Sequence, residues 1–165
     1  MAGSSPAMTE YLLWRLSAAT ERTSMPHDTY SDADLHALLT TVTTIAVVGA
    51  SPNPARPVYG VMAYMLRAGY RCIPVNPGQA GGEILGQKVY ATLADIPEPV
   101  DVVDIFRRQE ALAGVVDEAL ALDPKPKAIW MQLDLRDDAA AAKAEAAGLT
   151  VVMNRCIKVE HARVV

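Results

Sequence analysis

Cysteine, aromatic side chains and basic charge are all scarce in this sequence of 165 residues. The two cysteines, Cys72 and Cys156, lie far apart and form no CxxC pair, which indicates a reducing, cytoplasmic environment and no zinc site. A formal net charge of −4 argues against a nucleic-acid-binding protein, because such proteins usually carry a basic surface. Aromatic residues make up 5% of the chain, too few for a broad surface that stacks on single-stranded bases.

Long apolar stretches are also missing, and the sequence predicts no secretory leader. No apolar run approaches the roughly 20 residues that cross a bilayer, so the sequence predicts no membrane partner. A signal peptide needs a basic start and then an uninterrupted apolar stretch, whereas Arg15 interrupts the apolar residues near the N-terminus. We therefore predict that residues 1–27 form a flexible extension, with Met25 as an alternative start, and that residues 28–165 form one domain.

Short apolar segments alternate with segments of helical periodicity over the rest of the chain. The apolar segments are typical of buried strands and span residues 44–48, 71–75, 100–105, 128–131 and 150–152. Helices are expected near residues 32–39, 57–68, 109–122 and 137–147, and the segment after residue 152 reads as a tail. This alternation predicts an α/β protein: a Rossmann-like, doubly wound, mainly parallel five-stranded sheet with helices on both faces.

The turn after the first predicted strand is the most informative local feature. Gly49, Ala50 and Ser51 follow the strand, and the next helix opens with Pro57. Backbone N–H groups and the positive end of a helix would meet there, which is typical of a phosphate-binding cradle. The turn does not have the GxGxxG pattern, so the simpler interpretation, that the glycine only turns the chain, stays open.

The end of the second predicted strand lacks the usual mark of an NAD site. NAD-binding domains place an acidic residue there to bind the ribose hydroxyls, whereas this chain has Val75, Asn76 and Pro77. The sequence thus disfavours NAD, although NADP with an arginine partner remains an alternative.

Arginines are concentrated where the predicted strands end. Ligands of doubly wound sheets bind beyond the carboxyl ends of the strands. Five of the ten arginines follow such ends, namely Arg56, Arg107, Arg108, Arg136 and Arg155. The rigid guanidinium fork matches phosphate geometry, so a ligand with several phosphates would complement this edge. Pairing of these arginines with nearby acids is the alternative.

No constellation of catalytic residues is visible. The histidines are His27, His36 and His161, and none stands in a Ser-His-acid order or in a metal-ligand spacing. We expect His161 to be a packed or solvated tail residue and Cys156 to be a buried, inert thiol. Asp104, near the end of the third strand, either contacts the ligand or caps a loop, and the sequence does not decide between these roles.

Several separate motifs, in order, resemble one known family. They are residues 45–51 (IAVVGAS), 69–77 (GYRCIPVNP), 84–90 (ILGQKVY), 99–108 (PVDVVDIFRR), 130–133 (WMQL) and 151–161 (VVMNRCIKVEH). From about residue 25 to its end, the chain resembles the small, stand-alone CoA-binding domain proteins. It is similar in fold to the N-terminal CoA-binding domain of the succinyl-CoA synthetase α subunit.

The resemblance implies a Rossmann-like domain that binds coenzyme A or an acyl-CoA. Gly49, Ala50 and Ser51 would cradle the diphosphate, and Arg56 would meet a phosphate. Val75, Asn76 and Pro77 would border the adenosine end, and Ile105, Phe106 and Arg107 would line the next wall. Gln132 and Asn154 would approach the pantetheine, and Tyr59 completes the candidate set without an assigned role.

The synthetase carries out its chemistry with a phosphorylated histidine in a second domain, for which this sequence shows no equivalent. We therefore expect a non-catalytic carrier or sensor of a small nucleotide ligand, with a homodimer or a partner enzyme as further expectations. A mixed disulfide between Cys156 and coenzyme A is a less favoured role for that thiol. The alternatives are an NADP-type oxidoreductase and an interaction subunit that keeps a relic pocket.

Overall fold

The computed structural model describes residues 30–165 and confirms the predicted Rossmann-like fold. Its strands are β1 (Thr44–Val48), β2 (Arg71–Val75), β3 (Glu83–Ile84), β4 (Gln87–Lys88), β5 (Val102–Ile105), β6 (Ala128–Met131) and β7 (Thr150–Val152). Its helices are α1 (Asp32–Thr41), α2 (Pro57–Arg67), α3 (Leu112–Leu120), α4 (Asp138–Ala146) and α5 (Ile157–Val164). The expectations for residues 1–27, including those for Met25 and His27, lie outside the described residues.

Five strands form one parallel sheet in the order β2-β1-β5-β6-β7. The chain passes from β1 to β2 on one side and then returns to β5 on the other side of β1. The strand order therefore reverses between β1 and β5, which is where doubly wound sheets bind ligands. The separate ribbon of β3 and β4 is antiparallel and lies beyond the β2 side, where Val75 bridges to Tyr90.

Both faces of the sheet are covered by helices because the strands are apolar on both faces. One apolar cluster joins the sheet to α3 and α4, and the other joins it to α1, α2 and α5. Trp130 is fully buried in the second cluster, and its indole N–H donates to the carbonyl of Arg155 at 2.8 Å. None of the helices within residues 30–165 combines the length and the apolarity that crossing a membrane demands.

Local sequence signals set the helix ends that lead to the ligand edge. Ser31 caps α1 with a capping box completed by Asp34. Pro57 occupies the first turn of α2, where its missing N–H costs nothing. Gly69 lies two residues after the end of α2, with a φ of +100°, a conformation that residues with a β-carbon rarely adopt.

The segment after β7 differs from the sequence expectation. The sequence indicates a tail, whereas residues Ile157–Val164 form α5, which packs on α1 and α2. His161 lies in this helix, half-buried, with its Nδ1 atom 3.0 Å from the Tyr64 hydroxyl and its ring edge-on to Tyr64 and Tyr70. Burial lowers the pKa of His161. It is therefore a packed residue of a helix.

The two edge strands of the sheet, β2 and β7, each have a backbone group on the outer side that cannot bind a further strand. Pro74 lies in β2, has no N–H, and gives its carbonyl to the amide of Tyr90 at 3.0 Å. On the opposite side, the Tyr30 hydroxyl donates to the carbonyl of Val151 in β7.

Candidate functional site

Gly49 directly follows β1, in a position that no other residue type fits. Its φ is +88°, and a β-carbon placed there would lie 2.1 Å from the Phe106 carbonyl oxygen. Its amide donates to the Val75 carbonyl at 2.9 Å, so it is already used within the sheet. The glycine therefore permits close packing of β1 against the chain after β5. The amides that remain for a ligand come from the residues that follow it.

The loop from Ser51 to Ala55 is held by its own side chains. The Ser51 hydroxyl accepts from the amide of Asn53 at 3.1 Å, and the Asn53 side chain accepts from the amide of Ala55 at 3.0 Å. Within residues 30–165, the amides of Ala50 and Ser51 donate to no backbone carbonyl. The turn thus presents two successive amides on a loop whose shape is fixed before any ligand arrives.

Asn76 stands where an NAD-binding domain has its acidic residue. Its side-chain amide donates to the Ala50 carbonyl at 2.8 Å, and its side-chain oxygen accepts from the amide of Gly78 at 2.9 Å. Asn76 therefore ties the turn after β1 to the turn after β2. An aspartate could not donate the first of these hydrogen bonds, which gives a physical reason for the asparagine.

The first turn of α2 points its backbone N–H groups towards the same edge. Arg56 occupies the N-cap position and makes no capping hydrogen bond through its side chain. The positive end of this helix, of 11 residues, is thus left without a side-chain acceptor. An anionic group at this end would be stabilised by the helix dipole and by the arginine.

An open cavity of about 710 Å³ lies at this edge, at the reversal of the strand order. Seven residues of the candidate set line it: Gly49, Ser51, Arg56, Asn76, Phe106, Arg107 and Gln132. The other six do not: Ala50, Tyr59, Val75, Pro77, Ile105 and Asn154. The side chains of Ala50, Val75 and Ile105 belong to the buried core. Tyr59 is half-buried in α2, and Pro77 is exposed at the start of a 3₁₀ turn.

The lining also includes residues that were assigned no binding role from the sequence, among them Val58, Val61, Arg108, Leu133 and Leu135. The helical spacing of Val58 and Val61 was a signal for core packing, and both are in fact mostly buried while still bordering the cavity. Arg108 follows a strand end and was one of the five arginines expected at this edge of the sheet. The two leucines follow β6 and carried no pattern of their own.

The charge of the cavity is mainly positive. Arg56, Arg107 and Arg108 are exposed, and none of them forms an ion pair within residues 30–165. Asp134 is the acidic residue of the lining. Three arginines against one carboxylate leave an excess of positive charge for an anionic ligand to neutralise.

A second, smaller cavity of about 410 Å³ adjoins the first, and the two share Leu133 and Cys156. Arg136 and Arg155 border it, but they already face carboxylates: Asp138 at 3.1 Å and Glu160 at 3.5 Å.

Asn154 also borders this smaller cavity, with φ +54°. Its side-chain oxygen accepts from the amide of Asp134 at 2.8 Å, so it holds two loops together.

Asp104 lies beneath the floor of the larger cavity. It is 1% exposed, and its Oδ1 atom accepts from the Gln132 side-chain amide at 2.5 Å. Burial raises the pKa of Asp104 to about 8, although the hydrogen bond from Gln132 opposes this change. Within residues 30–165, the side-chain hydrogen bond of the Asp104 carboxylate comes from Gln132 and not from a loop amide, so Asp104 does not cap a loop there.

The two cysteines differ in their surroundings. Cys72 is buried in β2, and burial raises the pKa of its thiol to about 12, with a smaller contribution from Asp104. Cys156 is partly exposed at the N-cap of α5 and borders both cavities, contrary to the expectation of a buried thiol. Both cysteines are free thiols. The described part of the chain brings no three His, Cys, Asp or Glu side chains into a metal-binding group.

Comparison with known proteins places this site in context. A family model described as a CoA binding domain matches residues 43–162. The Bacillus subtilis (strain 168) protein YneT is 41% identical over 132 residues, which are 80% of this chain and 95% of YneT. A solved structure from Thermus thermophilus, cell-free ID.343, is 40% identical with a TM-score of 0.78, and the match covers 82% of this chain and 100% of that one.

A larger protein shares the fold over part of its length. The dinucleotide-forming acetyl-coenzyme A synthetase 1 of Ca. Korarchaeum cryptofilum is 25% identical with a TM-score of 0.56, and the match covers 66% of this chain and 25% of the synthetase. The family match spans β1 to α5, and so it includes every element that borders the two cavities. The chain belongs to the CoA-binding domain family.

Proposed function

We propose that this protein binds coenzyme A or an acyl-CoA in the cavity of about 710 Å³, with the diphosphate at the start of α2. One observation carries the proposal. The N-terminus of α2 without a side-chain cap, the turn at Ser51, and three arginines that form no ion pair within residues 30–165 all border the same cavity. Each of these features favours phosphate groups, and together they suit a ligand with more than one phosphate.

The remaining lining suits the less polar part of such a ligand. Val58, Val61, Phe106 and Leu135 supply apolar surface beside the arginines. A cavity of this volume lies within the range of ordinary cofactor sites, about 300–1,000 Å³. The adjoining cavity of about 410 Å³ extends the space past Cys156, so that an acyl group would have room beyond the pantetheine.

The protein acts in this proposal as a carrier or sensor. Cys156 and Asp134 line the cavity, whereas Asp104 lies beneath Gln132. Among residues 30–165, no base forms a hydrogen bond with the Cys156 side chain. Binding and presentation of the ligand therefore require no further residue, whereas acyl transfer would require an activated nucleophile.

Isothermal titration with coenzyme A and acetyl-CoA tests the proposal. Arg56→Ala removes an arginine at the N-terminus of α2, and Arg67→Ala removes an exposed arginine at the C-terminus of the same helix as the matched control. Loss of a charge-assisted hydrogen bond predicts a 10- to 100-fold weaker affinity for the first variant, corresponding to about 1.5–3 kcal/mol. The control should bind like the wild type.

Two results would contradict the proposal. One is the absence of binding below about 1 mM, which corresponds to about −4 kcal/mol. The other is an equal effect of both arginine variants. NADPH is titrated in parallel, because selective binding of NADPH would support the oxidoreductase alternative. Ser51→Arg should fill the turn and weaken binding of coenzyme A, with little loss of stability beyond the hydrogen bond from the Asn53 amide.

A further inference from the structure

The buried pair of Asp104 and Gln132 joins the sheet to the cavity. Asp104 lies in β5, with Val47 and Trp130 as its neighbours in β1 and β6. Its carboxylate is surrounded by the apolar cluster under α2 and α5, and its hydrogen-bond donor is the Gln132 side-chain amide. Gln132 is 6% exposed and borders the cavity. A change at the carboxylate therefore reaches the ligand through one side chain.

The other end of the Gln132 amide is directed at the cavity. Its Oε1 atom accepts no hydrogen bond within residues 30–165. Every fully buried side-chain nitrogen or oxygen in this part of the chain has a partner, so the unpartnered oxygen is in contact with the cavity. Gln132 thus offers a hydrogen-bond acceptor in a lining whose other polar groups are mostly donors.

We propose that Asp104 is a proton-linked positioning residue that decides whether Gln132 offers the ligand an acceptor or a donor. An ionised Asp104 can only accept, so it binds the amide nitrogen and turns the Gln132 oxygen to the cavity. A protonated Asp104 can donate its O–H to that oxygen, which turns the Gln132 NH₂ group to the cavity. This inference rests on the proposed function. It concerns whether the site distinguishes a ligand that has a thioester carbonyl from one that has none.

The consequence is a pH-dependent preference for an acyl-CoA over a thioether analogue of it. The thioester carbonyl of an acyl-CoA is an acceptor, and it suits the NH₂ group that faces the cavity when Asp104 is protonated. A thioether analogue has no carbonyl at that place and gains nothing from the NH₂ group. The site should therefore favour acyl-CoA at lower pH and lose this preference as Asp104 ionises.

Other groups near the pair do not compete for this role. Asp104 acts electrostatically on the Cys72 thiol in β2, but burial raises the pKa of that thiol to about 12, so it stays protonated near neutral pH. The buried residues that α2 contributes to the apolar cluster on this face of the sheet are Val58, Val61, Met62 and Met65. Other ionisable groups around the cavity are Arg56, Arg107, Arg108, Asp134, Cys156 and, beside the smaller cavity, Glu160. Since burial raises the pKa of Asp104 to about 8, the change should occur between about pH 7 and pH 9.

The test measures the affinities of acetyl-CoA and S-ethyl-CoA for the full chain at pH 6.5 and pH 9. One hydrogen bond predicts that acetyl-CoA binds about 3- to 10-fold better than S-ethyl-CoA at pH 6.5 and about equally at pH 9. In Asp104→Asn no proton can be gained or lost, so the ratio should be the same at both pH values. A merely structural role of Asp104 would change both affinities together and leave the ratio unaffected.

The wild-type protein decides the question even where Asp104→Asn does not fold. A ratio of acetyl-CoA to S-ethyl-CoA affinity that is constant from pH 6.5 to pH 9 would overturn the inference. A pH-dependent ratio that persists unchanged in Gln132→Ala would overturn it as well. If neither compound binds, the proposed function itself fails, which is a different result from two compounds that bind with a constant ratio.

Discussion

Replacing Gly49 by alanine should destabilise the protein more than the same change at another glycine with a positive φ, because only at Gly49 would the added β-carbon also meet neighbouring atoms. The φ of +88° costs a residue with a β-carbon about 1–2 kcal/mol. The new carbon would also lie 2.1 Å from the Phe106 carbonyl oxygen. That oxygen cannot easily move, because the Phe106 amide is held by the Val48 carbonyl at 2.8 Å. Overpacking of this kind costs about 1–3 kcal/mol more.

Urea unfolding of matched variants separates these two contributions. Gly69→Ala carries a similar strain at φ +100° but meets no atom within 4 Å, so it should cost about 1–2 kcal/mol. Gly60→Ala, in the open middle of α2, should stabilise the protein by about 0.5–1 kcal/mol. Gly49→Ala should cost about 2–5 kcal/mol in total. A cost no larger than that of Gly69→Ala would refute the close approach of β1 to the chain after β5.

Two further predictions concern the two cysteine thiols and the partly buried carboxylate of Asp101. Iodoacetamide at neutral pH should label Cys156 and spare Cys72 in the native protein, because burial raises the pKa of Cys72 to about 12; equal labelling of both, read by intact mass, would contradict the structure. Burial would by itself raise the pKa of Asp101, but hydrogen bonds from the amide and hydroxyl of Thr43 and from the amide of Thr44, together with the positive charge of Lys127, lower it overall. Its stabilising effect should be present above about pH 4 and disappear as the pH falls through the lowered folded-state pKa. Asp101→Asn should therefore cost about 1–3 kcal/mol in urea unfolding at pH 7 and progressively less as the pH falls through the lowered pKa of Asp101, and a cost that does not change over this fall in pH would contradict this role.

The strands and their doubly wound arrangement were predictable because runs such as Ile45–Val48 are apolar at every position. Such runs need cover on both faces, and helices of matching period lie between them. The last helix was not predictable in the same way. It begins after Cys156 without a side-chain cap, and its buried positions are only Ile157 and Glu160, so neither a start signal nor an apolar stripe marks it.

The candidate site was predictable where it depends on chain order and not where it depends on register. Arg56 and Arg107 follow strand ends, and that position alone directs them to the ligand edge. The hydrogen bonds of Gly49 to Val75 and of Asn76 to Ala50 depend on how β1 and β2 align, which no local pattern specifies.

The meeting of Asp104 with Gln132 likewise follows from the pairing of Asp104 with Trp130, two residues before the glutamine.

The protection at the two sides of the sheet restricts how copies of this chain can associate. Pro74 offers no N–H outward from β2, and the Val151 carbonyl on the far side is already taken by Tyr30. At both edges, these groups hinder a strand of another molecule from continuing the hydrogen-bond ladder, which also disfavours fibril formation. Any pairing of two molecules should consequently run through helices or the rims of the cavities.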